Sequence, residues 1–327
     1  MDTNQTQVSI TVENLFVENE KALKLEILTD KESFSRQIEE KELHRPGLAL
    51  TGFVHTFNFS RVQVFGDTEI DYLNHLSKND LKSSLEKIFS FDLPCVIISK
   101  TDKYPQEIIQ VASQAGISVF KTPYETTKVF QVLGYYLDEK FAPIKLIHGT
   151  LVDIYGVGAL ITGRSGIGKS EVALDLVARG HRLVVDDAVT IKRRTGGILV
   201  GTGNESLEHH MEIRGLGIID IRSIYGIRGV RRQKCVEIQL ELIEWDCSEQ
   251  YERLGLEEVT TEILGEQIPL IRLPIYPGKN ISVIAEVIAL DHLLRIYGHH
   301  SAKKFEDKIS HRMYEKLQLI DGCYKQR

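Results

Sequence analysis

No apolar run in this chain approaches the ~18 residues that a membrane span requires, so the sequence predicts no membrane-spanning helix. The opening residues, Met1-Asp2-Thr3-Asn4-Gln5-Thr6, have neither the basic region nor the apolar core of a secretory signal. Cysteine is scarce. Cys95, Cys235, Cys247 and Cys323 form no C-x-x-C pair, and no nearby His completes a zinc pattern. They read as small buried thiols in a reducing compartment, and the expected location is cytoplasmic. Basic charge is in deficit too, with 46 Asp and Glu against 40 Lys and Arg, a formal net charge of −6. No overall basic field draws the chain to nucleic acid, although a local basic patch would not show in this sum. Internal repeats and low-complexity tracts are also missing.

What remains is an ordinary soluble composition, 42% apolar and 26% charged, in 327 residues, which is room for two domains with separate cores. The first half alternates strand and helix. A strand and a short helix are expected between Val8 and Phe16, and Leu23 to Leu28 alternates with period two, like a half-buried strand. Arg61 to Phe65 reads as a strand closed by Gly66, and Cys95-Val96-Ile97-Ile98-Ser99 as a strand buried on both faces. Pro105 opens a helix through Ile108 and Ala112 that ends at Gly116. Ile117 to Phe120 is strand again, and Thr126 to Leu137 an amphipathic helix. This order predicts a small parallel α/β sheet over residues 1–138. A linker is expected at 139–145 and a second domain at 146–327. There glycines crowd among short strands, until a last helix from Val283 to Tyr297 with apolar residues at Val283, Ile284, Val287, Ile288, Leu290 and Leu294.

The second domain holds the densest signal. Gly163-Arg164-Ser165-Gly166-Ile167-Gly168-Lys169-Ser170 is a complete G-x-x-x-x-G-K-S loop. An apolar strand, Val157 to Thr162, precedes it, and a helical pattern from Glu171 to Arg179 follows. In that context the glycines let several N–H groups face one anion, and the helix N-terminus adds its partial positive charge. Lys169 then reaches the outer phosphates, and the Ser170 hydroxyl can hold a magnesium ion. The loop implies binding of a nucleoside triphosphate or another polyphosphate.

Other clusters share these surroundings. Leu183-Val184-Val185 is a strand ending in Asp186-Asp187. A carboxylate placed so, after a phosphate loop, serves as a magnesium ligand or as a base. Neighbours on a strand face opposite ways, so at most one of the two aims at the phosphates. His148-Gly149 is weak alone, because a lone His is often structural. In the run Met211 to Ile221, Glu212 could ligate a metal and Arg214 could meet a phosphate, but a salt-bridged surface strand would have the same spacing. Arg253 by itself is an ordinary surface charge. Pro274-Ile275-Tyr276-Pro277-Gly278-Lys279-Asn280 reads as a rigid turn that presents a cation before a helix.

Taken together, in this order and spacing, these stretches resemble the bifunctional HPr kinase/phosphorylases of bacterial sugar regulation. Arg45 to Leu50 and Arg61 to Gly66 are similar to the N-terminal domain of that family, so the resemblance spans the chain. It implies an α/β protein with a small N-terminal sheet domain and a C-terminal P-loop kinase domain whose nucleotide-binding core resembles that of phosphoenolpyruvate carboxykinase. It implies phosphorylation of a serine on the phosphocarrier HPr from ATP or pyrophosphate, and removal of that phosphate by inorganic phosphate to give pyrophosphate. It further implies a homohexamer. By this resemblance Lys169 and the loop Gly163–Ser170 hold the β-phosphate, and Ser170 and Glu212 hold Mg²⁺. Asp187 is the base in one direction and the acid in the other, with His148 and Arg253 as further catalytic candidates. Residues 211–220 are tied chiefly to dephosphorylation, and 274–279 to coupling the two activities.

Lys279 stands where the family more often has Arg, which keeps the charge but loses the planar fork. Two other readings stay in view. A P-loop kinase of a small hydroxylated metabolite would share the loop but has no need of the Met211–Ile221 run. An ATP-sensing scaffold without catalysis would need no base at Asp187.

Overall fold

The computed structural model describes residues 9–29, 31–101, 103–204, 209–245, 259–276 and 278–299. The chain divides into two compact units, Met1–Ala142 and Pro143–Arg327.

Unit 1 opens with β1 (Ile10–Thr11) and α1 (Val12–Leu23). Thr11 caps the helix, accepting from the Asn14 amide in a reciprocal capping box. The helix runs through Leu23 and stops where Lys24 turns left-handed (φ 48°). The strand expected over Leu23–Leu28 therefore shrinks to β2 (Glu26–Ile27), because Leu23 serves the helix core rather than a sheet face. Next come β3 (Gln37–Ile38), paired antiparallel with β1, then β4 (Leu43–His44), α2 (Gly47–Leu50) and β5 (Val62–Phe65). Two helices that the sequence reading did not anticipate follow, α3 (Asp67–His75) and α4 (Lys78–Phe89). Then come β6 (Cys95–Ser99), α5 (Glu107–Gln114), β7 (Ser118–Thr122) and α6 (Thr126–Lys140).

The sheet order is β2-β7-β6-β5-β4, parallel except for β2. Alternate residues serve two cores. Phe65, Val96, Ile98 and Val119 face α2 to α5, while Val64, Ile97 and Phe120 face α1 and α6. Phe16, Phe34 and Phe120 form a ring cluster within the second core, with Phe16 and Phe120 stacked at 5.3 Å. Cys95 is fully buried there, and burial pushes its thiol up to about 12. Cys247 and Cys323 lie outside the described residues.

Helix α6 continues past Leu137 to Lys140, and β8 (Ile144–His148) opens unit 2. Only Phe141–Pro143 separate them, a shorter connection than residues 139–145. After β8 come β9 (Thr150–Ile154), β10 (Val157–Gly163), α7 (Lys169–Ala178), β11 (Arg182–Val185), β12 (Ala188–Arg194) and β13 (Ile198–Thr202). A hairpin, β14 (His210–Ile213) and β15 (Gly217–Asp220), leads into the short α8 (Ile221–Tyr225). The remainder is β16 (Gln233–Cys235), β17 (Ile238–Glu244), β18 (Thr260–Ile263), β19 (Glu266–Ile275) and α9 (Ile281–Ile296).

Two sheets result, ordered β11-β9-β10-β17-β19-β18 and β16-β13-β12-β8. Leu160, Val185, Val189, Ile191 and Leu199 belong to the core they share. The other face of the larger sheet packs on α7 and α9. Among the places where the chain crosses from one sheet to the other, two bear on the site, His148-Gly149-Thr150 and Asp186-Asp187. Gly149 is needed at the first, since a Cβ there would lie 2.7 Å from the Ile161 carbonyl oxygen.

Helix α9 buries a face built largely of small residues. Asn280 caps it, accepting from the Val283 amide, and the helix buries Ile281, Ser282, Ala285 and Ala289. Ile284 and Ile288 pack beside them, whereas Val287, Leu290, Leu294 and Tyr297 are exposed. Small residues let the helix lie close on the sheet, so the larger apolar side chains are left outside. Among the described residues no helix is long and apolar enough to cross a membrane.

Candidate active site

Strands β10, β17 and β19 are parallel, and β11 runs the same way because β9 is antiparallel to both β10 and β11. Their carboxyl ends therefore share one edge of the sheet, where open α/β sheets place their ligands. That edge collects the glycine loop after β10, Asp186-Asp187 after β11, Glu244 at the end of β17, and Tyr276 and Lys279 after β19. The antiparallel β9 starts at the same edge and brings His148 and Thr150 to it.

The loop has the backbone an anion cradle needs. Gly163, Gly166 and Gly168 all take positive φ, and α7 begins at Lys169 with Gly168 as its N-cap. The Lys169 Nζ donates to the carbonyls of Gly163 and Arg164 at 3.2 Å, which keeps the ammonium over the loop. Arg164 forms an ion pair with Glu244 and so ties the loop to the neighbouring parallel strand. Lys169 and Ser170 fall in the first turn of α7, where the helix dipole adds to the positive field.

Asp186 and Asp187 lie in the bend between β11 and β12, outside both strands, and their side chains take different partners. The Ser170 hydroxyl donates to Asp186 Oδ2 at 2.8 Å, and the Thr150 hydroxyl to Asp186 Oδ1 at 2.6 Å. Burial pushes the Asp186 carboxyl above the ordinary aspartate range, and the Asp187 charge adds to the rise. The two hydroxyls and the Asp187 backbone N–H pull it back in part. Asp187 turns the other way. It sits in the left-handed region (φ 68°), an uncommon conformation that Asp tolerates better than most residues. Its Oδ1 lies 3.1 Å from His148 Nδ1, and both side chains are exposed. The Gly149 N–H donates to the Asp187 carbonyl at 3.0 Å, which locks the two crossing points together. His148 thus has a charged partner that its spacing in sequence could not reveal.

Asp186 and Thr150 are the site residues that sequence reasoning left without a role. The signal for Asp186 was there, in the paired carboxylates and the expectation that at most one of them faces the loop. Nothing local marked Thr150, which reaches the site through sheet pairing. Among the described residues no group of three His, Cys, Asp or Glu side chains encloses a metal. A half-buried carboxylate that carries two hydroxyls and no paired cation still fits Mg²⁺, an ion that keeps several waters and takes phosphate oxygens as ligands.

Glu212 sits on β14, exposed, on the side opposite the buried Met211. Among the described residues no hydrogen bond or ion pair joins it to Ser170. The Arg214 guanidinium lies beside Gly166 of the loop. Lys279 folds back on its own turn, 5.3 Å above the Tyr276 ring, and donates to the Pro274 carbonyl. Arg253 lies outside the described residues.

Comparison with known proteins bears on the family. Residues 139–309 match the HPr Serine kinase C-terminal domain, and residues 10–137 match the HPr Serine kinase N terminus. The HPr kinase/phosphorylase of Prosthecochloris aestuarii is 49% identical over 304 residues, 92% of this chain and 89% of that protein. That of Chloroherpeton thalassium is 48% identical over 288 residues, covering 88% and 85%. Among solved structures, the Hpr(Ser) kinase/phosphatase from Coxiella burnetii shares 32% identity over 49% of this chain and 98% of its own, with a TM-score of 0.44. With both family domains matched in order and near-half identity across nine-tenths of its length, the chain belongs to the HPr kinase/phosphorylase family.

Proposed function

We propose that this chain is a protein-serine kinase and phosphorylase. It phosphorylates a serine of HPr from ATP or pyrophosphate and reverses the reaction with inorganic phosphate, giving pyrophosphate. The observation that carries the reading is the shared sheet edge, which puts a phosphate loop next to a carboxylate free to take a proton. Lys169 and the loop amides from Gly163 to Ser170 bind the donor phosphates. Asp187 accepts the seryl proton as the serine oxygen bonds to phosphorus and the bond to the donor's bridging oxygen breaks. In reverse it returns that proton to the serine oxygen, so one carboxylate serves both directions. His148 holds the Asp187 side chain through the 3.1 Å contact.

Ser170 and Asp186 would hold Mg²⁺, with Glu212 as a further candidate ligand; when bound, the ion supplies neutralisation of phosphate charge. Arg253 stays a catalytic candidate from sequence. The assembly is a homohexamer acting in the cytoplasm, with no nucleic-acid or membrane partner. Incubation with purified HPr, Mg²⁺ and γ-labelled ATP tests the kinase. Label on a seryl side chain of HPr is expected. An unlabelled HPr, with ATP still bound to the chain, would refute the assignment and favour a metabolite kinase or a nucleotide sensor.

A further inference from the structure

Thr150 puts a hydroxyl where the packing calls for an apolar group. Residues of β9 alternate between the two faces of the larger sheet, so Thr150 shares a face with Val152 and Ile154. Those two belong to the core beneath α7 and α9, and every residue of β9 is buried. Valine has nearly the same shape and would fill the position without a polar atom. A buried hydroxyl costs stability unless it finds a hydrogen-bond partner. The partner of this one is Asp186 Oδ1, at 2.6 Å.

That bond makes the two Asp186 oxygens unlike. Oδ1 is held by Thr150 and meets the Ser170 hydroxyl only at 3.1 Å, whereas Oδ2 lies 2.8 Å from it. Thr150 itself has little room to move. It pairs with Ile161 of β10, has no exposed surface, and carries a β-branched side chain with few rotamers. Gly149, one residue earlier, donates to the Asp187 carbonyl at 3.0 Å. The Asp186-Asp187 bend is thus tied to the start of β9 by backbone and by side chain together. Any rotation of the Asp186 carboxylate would break the shortest of these bonds.

We propose that Thr150 is a positioning residue: it leaves Asp186 a single oxygen, Oδ2, to offer the cation beside Ser170, and so sets which cation the site prefers. The inference rests on the reading above, in which Ser170 and Asp186 hold Mg²⁺. Mg²⁺ demands near-ideal octahedral geometry, keeps several waters and draws on few carboxylates. Ca²⁺ takes more oxygen ligands in looser geometry, and can grip a carboxylate by both of its oxygens. A carboxylate with Oδ1 already bonded suits the first ion and handicaps the second. Without the Thr150 hydroxyl, Asp186 is free to turn, and the preference for Mg²⁺ should shrink. Thr150 itself touches neither ion nor substrate, and it moves no proton.

The test measures ADP affinity by calorimetry in excess Mg²⁺, in excess Ca²⁺ and in chelator, for the unaltered protein, Thr150→Val and Thr150→Ser. The gain in affinity from chelator to metal reports how well the protein holds the ion. In Thr150→Val the Mg²⁺ gain should fall about 10-fold while the affinity in chelator stays as it was. The Ca²⁺ gain should fall less, which narrows the gap between the two ions. Thr150→Ser keeps the hydroxyl and should keep the gap. If Thr150→Val does not fold, Thr150→Ala serves in its place. An intact Mg²⁺ gain without the hydroxyl would overturn the proposal. So would a loss equal for both ions, a loss seen equally in chelator, or a Thr150→Ser as poor as Thr150→Val. An unaltered protein that gains as much from Ca²⁺ as from Mg²⁺ would overturn it too. An unaltered protein that binds ADP no better in Mg²⁺ than in chelator would remove the Mg²⁺ reading and this inference with it, whereas an unchanged Thr150→Val removes the inference alone.

Discussion

Asp186 and Asp187 carry the same side chain one residue apart, and the fold gives them different chemistry. Asp186 faces the loop and gathers two hydroxyls; Asp187 faces out and meets His148. Replacing Asp187 by Asn keeps the shape and removes the proton acceptor. Its kcat for HPr phosphorylation should fall by about 10²–10⁴-fold with ATP affinity unchanged, as measured by steady-state kinetics and calorimetry. Normal turnover would remove Asp187 as the base. Asp186 offers a prediction of opposite character. Its native carboxyl is raised by burial, so the folded state holds the proton more tightly than the unfolded chain does. Such a group costs stability above its native pKa, and the cost is relieved as pH falls through it. Asp186→Asn should therefore raise the melting temperature of the metal-free protein at pH 7 and remove that relief at acid pH. It should also raise the Mg²⁺ concentration needed for activity. A lowered melting temperature would show that the Thr150 and Ser170 bonds outweigh the burial.

Elements tell how much was legible in the sequence. Continuous apolar strands such as Cys95–Ser99, and the strand, loop and helix around Gly163–Ser170, were readable because pattern and glycine spacing are local. The end of α1 was not. Leu23, Leu25 and Ile27 alternate by coincidence, and the left-handed Lys24 that separates helix from strand leaves no mark in composition. Helix α4 was missed although Ser77 caps it and Leu81, Leu85, Ile88 and Phe89 lie on one buried face. The buried side of α9 was not legible from its apolar residues, because its contact surface is built on Ala285 and Ala289, not on its largest residues. Close approach also decides Gly149, at one crossing point between the two sheets. Gly149→Ala should cost about 1–3 kcal/mol of stability in denaturant unfolding, since the β10 backbone must move to admit a methyl. An unchanged midpoint would mean that the strand pair yields freely. In unit 1, Phe120→Ala should cost about 3–5 kcal/mol, because the ring is fully buried between Phe16 and Phe34. A loss under about 1 kcal/mol would show that the ring cluster collapses to fill the void.

At the scale of the whole molecule, two units each bury their own cores, and the residues with chemistry gather on unit 2. The family was readable because its motifs follow in order along the chain. The site geometry was not, since the partners Thr150–Asp186 and His148–Asp187 arise from pairing between distant strands. One set of groups at one sheet edge is asked to run the reaction both ways. The most direct test labels HPr with γ-labelled ATP, removes the nucleotide, and then adds excess inorganic phosphate. The account predicts that the label leaves HPr as pyrophosphate, and that Asp187→Asn, given HPr already labelled by the unaltered protein, cannot release it. Label released as inorganic phosphate, or pyrophosphate formed at full rate by Asp187→Asn, would contradict a single site working in both directions.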